Sequence, residues 1–336
     1  MRNFAAAMSV ERQDILPVRQ PASSGMAAVI GFFDGVHRGH RHLLATLVRE
    51  ARRRGLRPMA VTFASPPRQV LHPEWRPRLL TTPEERRRLL LGGGVERVEM
   101  LCFTPAMALL SAREFMQQVL QERLGVRLLV VGYDTRFGHH RRETPADYRR
   151  YGGELGMEVV EATCLEGCSS SLIRQQVERG CVDDAAVLLG RPYSLAGVVE
   201  RGLGNGHKIG FPTANMRVDN AEKLIPAAGA YATRTRIGDG PWHRSMTDIG
   251  LRPTFRGDHL TVETHILGLC EDLYGRRIEV EFGRWLRPER TFPSPEALGE
   301  QLRQDARQSA LLEWPEGCGG AFGAESPDGC KPIVDD

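Results

Sequence analysis

The sequence predicts an α/β chain in two parts: a doubly wound parallel sheet, then a small antiparallel β-barrel closed by one helix. Three observations carry this. Up to about residue 190, apolar runs of strand length alternate with segments of helical periodicity. Beyond it the text alternates apolar and polar residues one by one, is rich in Val, Ile, Thr and Tyr, and is cut by turn text such as GDGP and RGDH. A last amphipathic segment, PEALGEQLRQDARQSALLEW, follows the strands.

The elements follow in order. MAAVIGFF (26–33) is an apolar strand running into glycine-rich text, and HRHLLATLVREARRRG (40–55) is a helix with Leu43, Leu44, Leu47 and Val48 on one face. RPMAVTF (57–63) is the next strand, stopped by Pro66 and Pro67. TTPEERRRLLLGGG opens with residues suited to a helix start and closes on glycines suited to its end. SAREFMQQVLQERLG reads as an amphipathic helix before the buried strand RLLVVGY (127–133). In the second part, YSLAGVVERG, AYATRTRIG, TVETHILGL and RRIEVEFGRWL read as short strands. The expected units are 20–188 and 189–314, meeting at LLGRPY, with 315–336 a loose Gly/Pro/Asp tail.

Composition removes several classes. At 336 residues, 41% hydrophobic and 26% charged, the chain has the make-up of a globular protein with two cores. No apolar run approaches membrane-spanning length, and the amino terminus is a poor signal peptide. A net charge of +3 gives no argument for nucleic acid. Seven cysteines form no tight framework, and Cys164 and Cys168 lack a second Cys/His pair for zinc, so reduced thiols in a cytoplasmic protein are expected.

Two short stretches carry chemistry. GFFDGVHRGH (31–40) passes from a strand through a turn into a helix start, which aims backbone N–H groups over the sheet edge and favours an anion. Gly31, Asp34, Gly35 and Gly39 shape that turn for a nucleotide's phosphates, and His37 and His40 are donors for charge growing on a phosphorus under attack. That set suits nucleotidyl transfer; the bland alternative is two surface histidines on a helix start. CSSSLIR adds Ser170 and Ser171 at a helix start and Arg174 one turn later as a phosphate clamp, or else a plain capped helix. VVGYDTRFG places Asp134 and Arg136 at a strand's carboxyl end, where doubly wound sheets bind ligands.

The second stretch, GLGNGHKIGFPTAN (202–215), supplies small residues, Gly202 and Gly210 among them, that let the backbone approach phosphates, with Lys208 in between. Thr213 offers a hydroxyl and Asn215 an amide to a metal or a phosphate oxygen; without the PTAN that follows, a simple hairpin turn is the plainer reading. One chain with both stretches suggests two successive reactions on nucleotide phosphates.

Taken together, GFFDGVHRGH, VTFASPPRQVL, LTTPEER, SAREFM, VVGYDTRFG, SSSLIR, LLGRPYSLAGVV, GFPTAN, MTDIGLRPTF, VETHIL, DLYG and QLRQD occur in order across residues 27–309. On these motifs the chain resembles the bacterial bifunctional riboflavin kinase/FMN adenylyltransferases, also called FAD synthetases. The resemblance implies a Rossmann-like nucleotidyltransferase domain followed by a riboflavin kinase barrel. It implies ATP as co-substrate, Mg²⁺ as cofactor, and riboflavin, FMN and FAD as the other small molecules bound, with no nucleic-acid or membrane partner. It makes Glu263, in TVETHIL, the carboxylate that takes the proton of the hydroxyl being phosphorylated. Thr213 and Asn215 become metal and phosphate ligands, and Asp134 and Arg287 fall at the flavin ends of the two sites.

The chain also departs from the pattern. Phe32 stands where Asn or Thr is usual, Pro66 where His is expected, Thr135 where Phe is usual, and Ser171 takes the place of Thr. Asp248 replaces the more usual Asn, and Gly268 an Asp. Phe32 and Pro66 each remove a polar group from the first site, so a slower adenylyl step is expected beside an intact kinase. Two alternatives stay open at this point: a riboflavin kinase with a degenerate first domain, and a flavin- or nucleotide-binding regulator without catalysis.

Overall fold

A computed structural model describes residues 25–139, 141–202, 210–254, 257–269 and 271–314. The expected tail at 315–336, the first residues of the expected first unit, and Lys208 lie outside the described residues.

The first part is a five-stranded parallel sheet. Its strands are β1 (Met26–Ile30), β2 (Arg57–Phe63), β3 (Arg97–Leu101), β4 (Val126–Val131) and β5 (Glu158–Glu161), in the order β3-β2-β1-β4-β5. The chain winds outward from β1 to β3 and then jumps back to β4, so the switch in direction falls between β1 and β4, above whose carboxyl ends such sheets bind ligands. Its helices are α1 (Arg38–Arg53), α2 (Pro67–Leu71), α3 (Pro83–Gly92), α4 (Pro105–Ala108), α5 (Ala112–Glu114), α6 (Pro145–Leu155), α7 (Ser170–Glu178) and α8 (Val182–Leu189). Two short charged strands, β3 and β5, escape the sequence reading because each is only partly buried and shows neither an apolar run nor alternation. The segment expected as one amphipathic helix begins as α5 under a Ser111–Glu114 capping box, then is wound as a π-helix over Phe115–Arg123.

The second part is a closed six-stranded barrel, β10-β7-β6-β11-β8-β9, which leaves no open sheet edge. Its strands are β6 (Tyr193–Glu200), β7 (Ala214–Val218), β8 (Gly229–Ile237), β9 (Trp242–Thr254), β10 (Gly257–Ile266) and β11 (Arg277–Arg287). The final helix, α9 (Pro295–Leu311), is tied to the barrel by an Arg287–Asp305 ion pair at 2.8 Å. The alternation read from the sequence sorts the strand faces: Val262, Thr264, Ile249 and Thr247 are buried inside the barrel, while Glu263 and Asp248 between them point outward.

The two parts share more than a linker. α7 and α8 send Ile173, Val177, Val182, Ala185 and Leu189 into the same apolar cluster as the barrel residues Tyr193, Leu195, Tyr231 and Phe282. The segment before α3 hydrogen-bonds to the β7–β8 connection: Leu79 N–H donates to Glu222 O at 2.7 Å, and Leu224 N–H donates to Leu79 O at 2.8 Å. Lys223, 5% exposed, reaches across to the Leu80 carbonyl at 2.7 Å and the Glu85 carboxylate at 2.5 Å.

This shared core leads to an expected result. A barrel fragment that begins at Ser169 and keeps α7 and α8 should melt higher than one that begins at Pro192, which would expose the apolar face those helices cover. Equal melting temperatures for the two fragments would show that the helices add nothing to the barrel's core.

Candidate functional sites

The first site is built where two helix N-termini meet. His37 is the N-cap of α1: its Nδ1 accepts from the His40 N–H at 3.4 Å. Nδ1 is also 3.4 Å from the Cys168 thiol, which immediately precedes Ser169, the N-cap of α7. Neither helix has an acidic residue in its first turn, so both present positive dipole ends without a compensating negative charge. Because Nδ1 is the acceptor in the cap, Nε2 carries the proton of neutral His37. Burial lowers the His37 pKa to about 4, opposed by the nearby Asp34 charge and reinforced by Arg191 and Arg174. His40 stacks on it with ring centroids 3.6 Å apart, and burial followed by its neighbour's charge pushes its pKa well below the ordinary value. Its Nδ1 is buried without a hydrogen-bond partner. Both imidazoles are therefore neutral near pH 7.

The loop that delivers them is strained. Phe33 and Val36 have φ of 56° and 41°, a conformation that costs a β-branched side chain, and Gly35, at 81°, takes the one such position where no side chain is needed. A Cβ on Gly39 would lie 3.2 Å from the His37 ring, so glycine there is what allows the imidazole to fold over the helix end. Gly31 continues the sheet by donating to Val61 O at 3.1 Å.

Asp34 corrects a reading made from sequence. Expected as a phosphate-binding residue, it is 2% exposed, and its carboxylate accepts from Leu80 N–H, Thr81 N–H, the Thr81 hydroxyl and Arg174 Nη2, all at 2.9–3.1 Å. Its oxygens are committed to the protein, and its work is to hold Arg174 and the 80–81 segment. Arg174 is further anchored by Nε donating to Arg78 O at 2.9 Å, and with Ser171 it lines a groove of about 560 Å³ along α7. Ser170 donates to Asp34 O at 2.9 Å and so pins α7 to the loop. Arg191, which sequence reasoning passed over, donates to Gly35 O at 2.8 Å; burial brings its pKa down to about 10. Asp134 is exposed in the turn after β4, where the Thr135 hydroxyl accepts from Gly132 N–H at 2.8 Å. Asp134 stands apart from the His37–His40–Arg174 group, which shares direct contacts through Asp34 and Cys168.

The second site lies on the outer face of the barrel. Cross-strand register places Glu200, Asn215, Glu263, Asp248, Ala230 and Arg287 directly opposite one another along one row across six strands. Thr213 donates its hydroxyl to Glu263 Oε2 at 3.3 Å, and Gly202 lies so close to Asn215 that a Cβ there would meet the amide at 3.2 Å. Gly210, at φ 80°, takes the left-handed turn into this segment. The fold brings together residues distant in sequence: Gly202, Thr213, Asn215 and Glu263. Arg287 is less available than expected, since Asp305 takes its Nε and Nη2 at 2.9 and 2.8 Å.

Two residues here were missed or undervalued in the sequence. His265 braces the Pro-Thr-Ala-Asn segment, its Nδ1 2.7 Å from Pro212 O and its ring edge-on to Phe211; the signal was its place two residues after Glu263, on the same strand face. Asp248 is half-buried beside Glu263, and burial raises its pKa to about 6, against the Arg287 charge and with the help of Glu289, Glu263 and Asp305. The donors around this row are hydroxyl, amide and carboxylate oxygens, the kind that suit a hard cation such as Mg²⁺. Among the described residues no cluster of three or more His, Cys, Asp or Glu is placed to hold a metal by itself, so an ion there would complete its shell from phosphate oxygens and water.

Comparison with known proteins matches the two parts of the chain to two different family models. Residues 19–172 match the FAD synthetase family model and residues 189–312 the riboflavin kinase model. A bifunctional riboflavin kinase/FMN adenylyltransferase of Escherichia coli K12 is 35% identical over 85% of this chain and 92% of its own length. Its counterpart in Pseudomonas fluorescens is 36% identical over 88% and 96%. A crystal structure described as a macrolide-efflux protein from Streptococcus pneumoniae has the same two-part fold, with TM-score 0.80 at 30% identity over 87% of this chain and 96% of that one. That description concerns the streptococcal protein; no helix among the described residues here is long and apolar enough to cross a membrane. Matched by both models in order, and by relatives along nearly their whole length, the chain belongs to the family of bifunctional riboflavin kinase/FMN adenylyltransferases.

Proposed function

We propose that this protein phosphorylates riboflavin to FMN with one ATP and adenylylates FMN to FAD with a second. Residues 189–314 perform the first step and residues 20–188 the second. The observation that carries the reading is the pairing of Thr213 with Glu263 beside Asn215, in a protein whose other half stacks two neutral imidazoles at a double helix N-terminus.

In the kinase step Glu263 takes the proton from the 5′-hydroxyl of riboflavin as that oxygen attacks the γ-phosphorus, and ADP leaves. Thr213 orients the Glu263 carboxylate before substrate arrives. Thr213 and Asn215 would hold Mg²⁺, which supplies neutralisation of the phosphate charge when bound. The Gly202 and Gly210 backbone lies beside the phosphates, and Arg287 frames the flavin end from its anchor on α9. In the adenylyl step a phosphate oxygen of FMN attacks the α-phosphorus of ATP and pyrophosphate leaves. The Nε2–H of His37, with His40 behind it, donates to the oxygen on which charge grows, and Ser171 and Arg174 meet the departing phosphates. Asp134, exposed at the carboxyl end of β4, borders the flavin. The free cysteines among the described residues, Cys102, Cys164, Cys168 and Cys181, suit the reducing cytoplasm where flavin nucleotides are made.

Incubation of purified protein with riboflavin, ATP and Mg²⁺, resolved by chromatography, tests the whole reading: FMN should appear first and FAD after it. FMN alone would leave a riboflavin kinase, and neither product would leave a binding protein. Glu263→Gln should lower FMN formation by about 10²–10⁴-fold while FAD formation from supplied FMN persists. Near-normal kinase turnover in that variant would remove Glu263 from the mechanism.

The neutral His37 ties stability to pH. Its folded pKa of about 4 lies below the unfolded value of 6.5, so the unfolded chain binds the extra proton between the two. The associated stability is complete above pH 6.5 and is lost as pH falls through 4, a change of ~3 kcal/mol. Denaturant titrations at pH 7 and pH 4.5 should show a smaller difference in His37→Asn, which retains a capping oxygen but no titrating ring. Identical pH dependence in the two proteins would contradict the assignment.

A further inference from the structure

Arg86 is a deeply placed cation that neither proposed reaction uses. It projects from α3, is 0% exposed, and donates from Nη2 to the Phe63 carbonyl at 2.5 Å. Its guanidinium carbon lies 4.3 Å from the centroid of the Phe32 ring. Nε and Nη1 are buried and have no hydrogen-bond partner. Three other well-buried cations are paired with carboxylates, Lys223 with Glu85, Arg234 with Glu281 and Arg287 with Asp305, while Arg191 donates to the Gly35 carbonyl. Arg86 departs from that pattern, and the nearby Asp34 carboxylate is already taken by Leu80, Thr81 and Arg174. A guanidinium does not escape the cost of burial by shedding its proton at physiological pH, and two unmet N–H groups add to that cost. Such an arrangement persists when a ligand meets the charge in the working state.

The position says which ligand. Phe63 ends β2 and Phe32 follows β1 by two residues, so the guanidinium sits at the carboxyl edge of the parallel sheet, the edge that receives ligands. It shares that edge with the loop of His37 and His40. The partly buried Phe32 ring is its cover on the side of this loop and has no polar atom of its own to offer a substrate. We infer that Arg86 is a phosphate-binding residue of the adenylyltransferase site, reached when the Phe32 ring turns aside. A dianionic or polyanionic phosphate is the group whose charge and acceptor oxygens match the two open donors. The FMN phosphate and the ATP triphosphate both fit that chemistry. The inference rests on the proposed adenylyltransferase activity.

Steady-state FAD formation from FMN and ATP by the full-length protein reads this site alone, because the kinase makes no FAD. Arg86→Met should raise KM about 10-fold or more for one substrate: FMN if Arg86 holds the flavin's phosphate, ATP if it holds the triphosphate. Arg86→Lys, which keeps the charge and loses the planar fork, should fall between. Kinase kcat/KM for riboflavin should stay at the wild-type value in both and reports folding. If Arg86→Met does not fold, the lysine variant decides. Unchanged KM for both FMN and ATP in a folded variant, while the wild type makes FAD, overturns the inference and leaves the adenylyltransferase reading standing. A wild type that makes no FAD overturns both.

Discussion

The Asp34 carboxylate organises the first half of the molecule and its contact with the second. A buried carboxylate is costly unless its lone pairs are met, and here Leu80, Thr81 and Arg174 meet them. Each of those donors leads elsewhere. Leu80 returns its carbonyl to Lys223 at the barrel's edge, Thr81 accepts from the Gly35 N–H that shapes the histidine loop, and Arg174 faces the groove along α7. One charge thus fixes a strained loop, the Arg174 guanidinium and an interdomain contact at once. Its neighbours pay for the strain at Phe33 and Val36 by over-determining the loop.

The two sites solve the same electrostatic problem in opposite ways. At the sheet, the proposed site offers a polyanion helix ends without acidic residues in their first turns, neutral imidazoles and the anchored Arg174, an arrangement of preset donors. At the barrel, carboxylates gather instead: Glu263 and Asp248 face one another on adjacent strands, with Arg287 two strands away. Under the proposed kinase reading, one of these acids takes a proton and a hard cation offsets the rest. Burial first, and the neighbouring Glu289, Glu263 and Asp305 carboxylates after it, raise the pKa of Asp248 against the Arg287 charge.

The barrel supplies this row because closure makes register global. A one-residue slip of β10 would turn Glu263 into the core and expose Val262. The apolar interior, with Val262, Ile249 and Met216 packed against Tyr193 and Phe282, therefore defends the placement of the outward acids. α9 completes the arrangement by neutralising Arg287 through Asp305, which holds that side chain at the end of the row.

Much of this was legible in the amino-acid order. Strand and helix periodicities, the change of texture near residue 190, and the local motifs around His37, Ser170, Thr213 and Glu263 are short-range patterns, written in consecutive residues and read without knowing what packs on what. The π-wound segment, the two charged edge strands and the fate of individual charges were not. Asp34 reads as a phosphate-loop acid but is consumed by donors 46, 47 and 140 residues away. Arg86 reads as one of three consecutive surface arginines on a helix, and only packing shows that it is enclosed beneath Phe32 with donors unmet. Arg191 carries no local signal for the backbone carbonyl it binds, and the strand position of His265 does not disclose Pro212 as its partner. Sequence determined which elements form and which residue types sit at their ends, because those preferences are local. Tertiary structure decided which charges are buried and what satisfies them, because hydrogen-bond partners and desolvation depend on neighbours brought from elsewhere in the chain.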